Sequence, residues 1–202
     1  MTQLPSFETY DGHFITPYLA VGARPGHEGE PAQHAQEIAA AGIRGVLHVS
    51  SYGSRPAIQY VAHLPETVEW RQVGFWDGYL KHGESVREPL SPAYARLLVH
   101  QAAIMLRDHG PLLVHCMGGK GRSGNTAAIV LAAREGIPVE EAISIVRTTR
   151  PCCSALNYQG FWRNVDLDEL VTLAATVLAE RTTDPELFCD RVRGDAVETK
   201  PG

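Results

Sequence analysis

No uninterrupted apolar run of about 18 residues occurs in this sequence of 202 residues, so it offers no candidate transmembrane helix. A secretory apolar region is missing near its start, and no run of basic residues exceeds two. With a net charge of −5, the chain gives no electrostatic case for a nucleic-acid or membrane-surface partner. Cysteine is scarce: Cys116, Cys152, Cys153 and Cys189, with no C-x-x-C pair. A disulfide framework and a zinc site are therefore not expected, and a reduced, cytoplasmic protein is. Adjacent Cys152 and Cys153 read as packing residues; the other reading makes one of them, or Cys189, a reversible disulfide partner protecting Cys116. Internal repeats and low-complexity tracts are also absent. What remains is 44% hydrophobic residues in a length that suits one domain.

The densest chemistry lies between Leu112 and Gly124. Leu112-Leu113-Val114 reads as a buried strand ending at His115 and Cys116. Gly118, Gly119, Gly121 and Gly124 then turn the chain, and Thr126 to Arg134 reads as an Ala-rich helix. Cys116 thus stands at a strand-to-helix junction, where unpaired N–H groups and the helix dipole favour an anion, whether phosphate or thiolate. Gly118, Gly119 and Gly121 are expected to bring the backbone close to a ligand in conformations that a side chain would forbid. Met117 to Gly121 separate Cys116 from Arg122, enough for a near-closed ring of amides with the sulfur at its base and the guanidinium on its rim. The planar fork of Arg122 can hold two phosphoryl oxygens at once, and Lys120 adds a point charge at the edge. Ser123 is placed to give its hydroxyl to the sulfur when a phosphocysteine is hydrolysed.

Other readings of this stretch fare worse. Gly119, Gly121 and Gly124 formally make G-x-G-x-x-G, but the acidic residue required about 20 positions on falls at Glu140 or Glu141, at the start of a helical pattern and not at a strand end. A Walker A loop fails because Val114 stands at its first Gly and Gly121 at its Ser/Thr. A merely structural cysteine would not call for Arg122, Lys120 and the glycines around it. The string His115-Cys116, five residues, Arg122-Ser123-Gly124 resembles the active-site signature of the cysteine-dependent protein tyrosine phosphatase superfamily, its dual-specificity branch in particular. That resemblance implies metal-free hydrolysis of phosphomonoesters through a phosphocysteine, with no cofactor. His115 is expected to shape the loop from beneath without transferring protons.

Upstream, His13 to Thr16 and Tyr18 to Gly22 give two strand-like runs broken by Pro17, resembling the opening strands of dual-specificity phosphatases. Gln33 to Ala41 reads as a helix, Ile43 to Ser50 as a buried strand, Ser51 to Pro65 as irregular with a helical turn near Ala57 to Val61, and Val68 to Phe75 as a strand. Trp76-Asp77-Gly78 follows, where the family carries its general acid on a mobile loop; the resemblance assigns that role to Asp77. Tyr79 to Pro89 is expected as an enlarged loop, with Glu84 in reserve for the acid. Ser91-Pro92 starts a helix running to Arg107, and Val139 to Thr148 is another. Arg147 to Pro151 resembles the family's R-x-x-R-P turn. Leu156 to Arg163 resembles the start of its last helix, in which Asn157 or Gln159 would help hold the loop or the hydrolytic water; the plain readings are a helix cap and a solvated residue. Helical pattern continues to about Glu180.

The fold expected is therefore α/β, with a central, largely parallel sheet of four to five strands flanked by helices. Residues 1–12 form a loosely held N-terminal segment, 13–180 the phosphatase domain and 181–202 a polar tail. The absence of a long N-terminal extension suggests a shallow pocket. The partner expected is a phosphorylated protein, with a phosphoinositide or small phosphate ester as the alternative: lipid-active relatives often carry lysine at the first and fourth loop positions, and this loop has Met117 and Lys120 there. A silent phosphate-binding module, a sulfurtransferase and an arsenate reductase are the readings from other classes. Oligomeric state is left open.

Overall fold

Successive residues of a strand point to opposite faces of its sheet. In this chain the two faces meet different partners. The computed structural model describes residues 4–26, 29–51, 59–75, 80–81, 84–85, 91–155, 162, 164–180 and 197–199. Its strands are β1 (Gly12–Thr16), β2 (Leu19–Gly22), β3 (Gly45–Ser51), β4 (Glu69–Phe75), β5 (Leu80–Lys81), β6 (Glu84–Ser85), β7 (Leu112–His115) and β8 (Val197–Thr199). The helices are α1 (Pro31–Ala40), α2 (Pro92–His109), α3 (Arg122–Glu135), α4 (Val139–Thr149) and α5 (Leu167–Ala179).

The main sheet has the order β1-β2-β7-β3-β4-β8. Strands β2, β7, β3 and β4 are mutually parallel, while β1 and β8 run antiparallel at the two edges. This is the largely parallel, helix-flanked sheet the sequence implied. Its outermost strand, β8, comes from the segment expected as a polar tail. Strands β5 and β6 pair as a separate hairpin inside the expected enlarged loop.

One face carries Leu47, Val49, Val73, Leu112 and Val114 into a core shared with α2, α3, α4 and α5. The other carries Ala20, Val46, Trp70 and Leu113 against α1 and a 3-10 turn at Gln59–His63. Helix α3 is buried continuously from Ser123 to Ala132, and Ala127, Ala128 and Ala132 keep it slim enough to lie in the middle of the helical layer. Among the described residues no helix is long and apolar enough to cross a membrane.

Three boundaries differ from expectation. Helix α3 begins at Arg122, four positions before the Ala-rich run, with Asn125 N–H already bonded to Gly121 O at 2.9 Å, so Arg122 and Ser123 sit on its first turn. The last helix begins at Leu167, where Asp166 accepts from Glu169 N–H at 3.1 Å and residues 164–166 before it are not helical; of the stretch Leu156 to Arg163, Trp162 alone lies within the described residues. The N-terminal segment is docked over residues 8–10, because Glu37 on α1 accepts the backbone N–H groups of Glu8, Thr9 and Tyr10 at 3.0, 3.0 and 3.1 Å. Tyr10 is itself buried and donates its hydroxyl to Ala23 O at 2.6 Å.

Candidate active site

Strand register sets the site. His115 pairs with Gly22 of β2 on one side and His48 of β3 on the other, so the chain leaves the sheet between these two strands as it enters the cysteine loop. The loop then leans on the end of β2: Arg24 N–H donates to Met117 O at 3.0 Å. Gly119 has φ +63°, and a Cβ there would lie 2.5 Å from the carbonyl carbon of Gly22. Glycine is required at 119 for both reasons. At Gly118 and Gly121 an added Cβ meets nothing within 4 Å, so the steric demand expected of three glycines falls on Gly119.

Arg150, at the end of α4, holds the loop from below. Its Nε donates to Gly119 O at 3.1 Å, its Nη1 to His13 Nδ1 at 2.7 Å and its Nη2 to Asp11 Oδ2 at 2.8 Å. The residue is 1% exposed, and a buried guanidinium requires such partners. Burial raises the Asp11 carboxyl pKa, but the Arg150 hydrogen bond and charge outweigh it and hold the group below its ordinary value. His13 is lowered by burial and then by Arg150, in keeping with a neutral ring that accepts at Nδ1. The Cys153 thiol also donates to Gly119 O, at 3.3 Å, and burial pushes its pKa up to about 12. Cys153 therefore packs as a protonated thiol beneath the loop, while Cys152 is exposed; both are free thiols, as is Cys116.

Cys116 is buried, with Sγ 3.4 Å from Oγ of the fully buried Ser123. Half-buried Arg122 reaches back toward Val49 O, at 3.5 Å from Nη1. Lys120 is exposed on the loop, and beside it Met117 is the exposed large apolar side chain among the described residues.

Below the cysteine runs a second set of bonds. Trp70 Nε1 donates to the Tyr60 hydroxyl at 2.8 Å, so the Tyr60 O–H is free to donate to His115 Nε2 at 2.6 Å. That leaves the His115 proton on Nδ1, facing Cys116 O at 3.4 Å. His48 stacks on His115 with centroids 4.5 Å apart and planes 11° from parallel, and bonds Gln72 Oε1 at 3.2 Å. These contacts follow from register, since His48 pairs with both His115 and Gln72. Burial lowers His48 to about 4 against the upward pull of Gln72, with the charges of Arg24 and Arg122 adding to the fall. His115 is also held well below its ordinary value, by burial and then by His48, and burial raises the Tyr60 phenol. Both imidazoles are neutral near pH 7.

Sequence reasoning missed Tyr60, Trp70, His48, Gln72 and the role of Arg150. The available signal was that buried Tyr and Trp need partners for their polar tips. The loop residues Met117 to Gly121, with His115, Cys116, Arg122 and Ser123, do come together. Asp77, Asn157, Gln159, Cys189 and the side chain of Glu84 lie outside the described residues.

Residues 15–159 match a family model described as the Swiss Army Knife protein, DSP-PTPase phosphatase domain. The chain belongs to this family. Mouse dual specificity phosphatase 28 is 29% identical over 103 residues, which cover 51% of this chain and 59% of that protein. The chain thus spans somewhat over half the length of this relative. Among solved structures, human DUSP28 is similar with a TM-score of 0.53 at 19% identity, covering 87% of this chain and 99% of that one. PTPMT1 in complex with PI(5)P is similar with a TM-score of 0.51 at 16% identity, covering 83% and 97%. These structures share the DSP-PTPase fold with this chain.

Proposed function

We propose that this DSP-PTPase protein is a metal-independent phosphomonoester hydrolase of the tyrosine/dual-specificity type, working through a phosphocysteine intermediate. The observation that carries the reading is Cys116 Sγ lying 3.4 Å from Ser123 Oγ, in a loop that ends on the first turn of α3 with Arg122. In the first step the Cys116 thiolate attacks phosphorus in line, forming the S–P bond as the P–O bond to the leaving group breaks. Loop amides from Met117 to Gly121 and the Arg122 guanidinium hold the equatorial oxygens, and Asp77 gives its proton to the leaving oxygen. In the second step Asp77 takes a proton from water, the water oxygen attacks phosphorus, and the S–P bond breaks with Ser123 Oγ–H stabilising the departing thiolate. The role of Asp77 rests on the family resemblance, with Glu84 in reserve. Asn157 and Gln159 remain candidates for positioning the loop or that water. Thiolate chemistry suits a reduced, cytoplasmic setting.

Phosphorylated protein is the substrate that the family resemblance implies. A second reading, a phosphoinositide or small phosphate ester, is favoured by Lys120, which is exposed at the fourth position of the loop. The similarity to PTPMT1 in complex with PI(5)P points the same way.

The test is hydrolysis of p-nitrophenyl phosphate in EDTA and reductant by the native protein, Cys116→Ser and Asp77→Asn. Activity should survive EDTA, vanish in Cys116→Ser and fall by roughly 10²–10⁴-fold in Asp77→Asn. A folded, reduced native protein without activity would sink the reading.

A further inference from the structure

The two edges of the main sheet are finished differently. At β1 the register to β2 shifts between Phe14 and Thr16, and Pro17 follows, so that edge is ill suited to adding a strand. At the opposite side β4 pairs residue for residue with Gly45 to Ser51 of β3 from Glu69 to Phe75, with neither bulge nor proline. So regular an edge displays a row of backbone N–H and C=O groups that will pair with an extended chain. They are met by β8, which runs antiparallel with Arg71 opposite Thr199, Gln72 opposite Glu198 and Val73 opposite Val197. Valine and threonine suit a strand, and the segment is short. Residues 180–196 separate α5 from β8, and a chain of that length extends up to roughly 55 Å, while α5 packs on α2 and α2 on β4. The segment can thus reach the edge of its own sheet.

What β4 carries ties this edge to the cysteine loop. Gln72 Oε1 lies 3.2 Å from His48 Nδ1, and His48 stacks on His115, the residue before Cys116, with ring centroids 4.5 Å apart. The pairing at residues 71–73 therefore holds β4 at the position whose side chain reaches the base of the loop. We propose that the outer edge of β4 is a strand-docking surface whose partner is the chain's own segment 197–199, and that docking there positions β4, through Gln72, for the chemistry at Cys116. The catalytic consequence rests on the phosphatase reading, whereas the docking does not. Each ladder hydrogen bond contributes about 1 kcal/mol net, so a pairing this short opens without unfolding the sheet behind it.

Hydrogen exchange reads the docking directly. In a protein ending at residue 196, the outward-pointing amides among Arg71 to Val73 should exchange about ten-fold or more faster than in the full chain, while β3 and β7 keep their protection. The full chain with Glu198→Pro and Thr199→Pro should behave alike. Successive N–H groups of a strand alternate between its two edges, so two adjacent prolines remove one donor aimed at β4. In the native protein the protection should persist on dilution, in a particle that light scattering shows to be a monomer. Exchange at 71–73 as slow without the pairing as with it would overturn the proposal. So would protection lost on dilution as a dimer dissociates, which would give the edge to a second copy of the chain. Kinetics read the tie to the site: in the double-proline variant kcat for p-nitrophenyl phosphate should fall several-fold with KM little changed. In a Gln72→Leu background the same prolines should have much less effect, because the side chain that passes the change to His48 is already gone. A kcat that the prolines leave unchanged would overturn the positioning and confine the segment to covering an edge. Native protein with the expected exchange pattern but no hydrolysis would overturn the phosphatase reading and leave the docking standing.

Discussion

Arg150 and His115 support the same loop from two directions, one as a buried cation and the other as a buried neutral ring. Arg150 reaches the rim: its guanidinium ties Gly119 O to His13 and Asp11, joining the loop to the docked N-terminal segment. His115 reaches the base, at the end of a neutral chain from Trp70 through Tyr60 to the carbonyl of Cys116. A charge can be buried at the rim because an acid partner stands at the protein surface, where Asp11 is 57% exposed. Under the cysteine no acid partner among the described residues stands beside the rings, and burial keeps His48 and His115 uncharged there. The cationic support sets where the loop lies, and the neutral support orients a dipole without altering the charge of the site.

Removing the charged support should have the largest effect. Arg150→Met leaves Gly119 O with the Cys153 thiol as its partner and unties the loop from the N-terminal segment. The loss should be on the order of 3 kcal/mol, since one member of a buried, hydrogen-bonded ion pair is deleted while the other is half in solvent. For a chain of this length that is about 6–12 °C in Tm. A loop displaced by about 1 Å should cost roughly 10²-fold in kcat/KM for p-nitrophenyl phosphate. Arg150→Lys should recover part of the stability but little of the activity, as it cannot make three bonds in one plane. Melting curves and steady-state kinetics of both variants check this; an Arg150→Met protein with native activity would show that the rim needs no support.

These two supports differ in how far the sequence reveals them. The signature from His115 to Gly124 names the cysteine, the arginine and the serine because their roles depend on local spacing. The parallel sheet was likewise legible, since each strand is a short apolar run between helical patterns. Arg150 lies 31 residues from Gly119 and some 139 from Asp11, and no local pattern marks contacts of that separation. Tyr60 sits in a stretch without clean period, and the stacking of His48 on His115 depends on a register between strands far apart in sequence. The start of α3 was misplaced because Gly121 to Asn125 reads as loop by propensity, whereas burial of Ser123 against the sulfur makes it helix.

The neutral support should fail in acid before the charged one does. His48 has a folded pKa of about 4 against an ordinary 6.5, so between these values the unfolded chain binds more protons than the native one. Stability therefore rises with pH across that window: it is fully present above about 6.5 and is lost as pH falls toward 4. The amount at stake is about 3 kcal/mol from His48, with His115 acting in the same direction. Urea unfolding at pH 7, 6 and 5 should show the decline, and His48→Asn should have a shallower one, because one of the two depressed, stacked rings beneath the cysteine is gone. Identical slopes in the two proteins would mean that the acid limb arises elsewhere.

The smallest effect separates orientation from stability within the neutral chain itself. Tyr60→Phe removes one oxygen but leaves two buried groups, Trp70 Nε1 and His115 Nε2, without the partner they share. Two unsatisfied groups should cost roughly 2 kcal/mol, less than deleting Arg150, and about 4–8 °C in Tm. The more telling readout is the tautomer. With Tyr60 donating to Nε2, the His115 proton is held on Nδ1 and points at Cys116 O; without that donor, Nε2–H becomes competitive. Imidazole nitrogen shifts should therefore report a single tautomer of His115 in the native protein and a mixture in Tyr60→Phe, with kcat lowered several-fold and KM little changed, since the loop rim stays latched by Arg150. An unchanged tautomer with lowered Tm would assign Tyr60 to packing alone, and the base of the loop would then owe its geometry to the strand that leads into it.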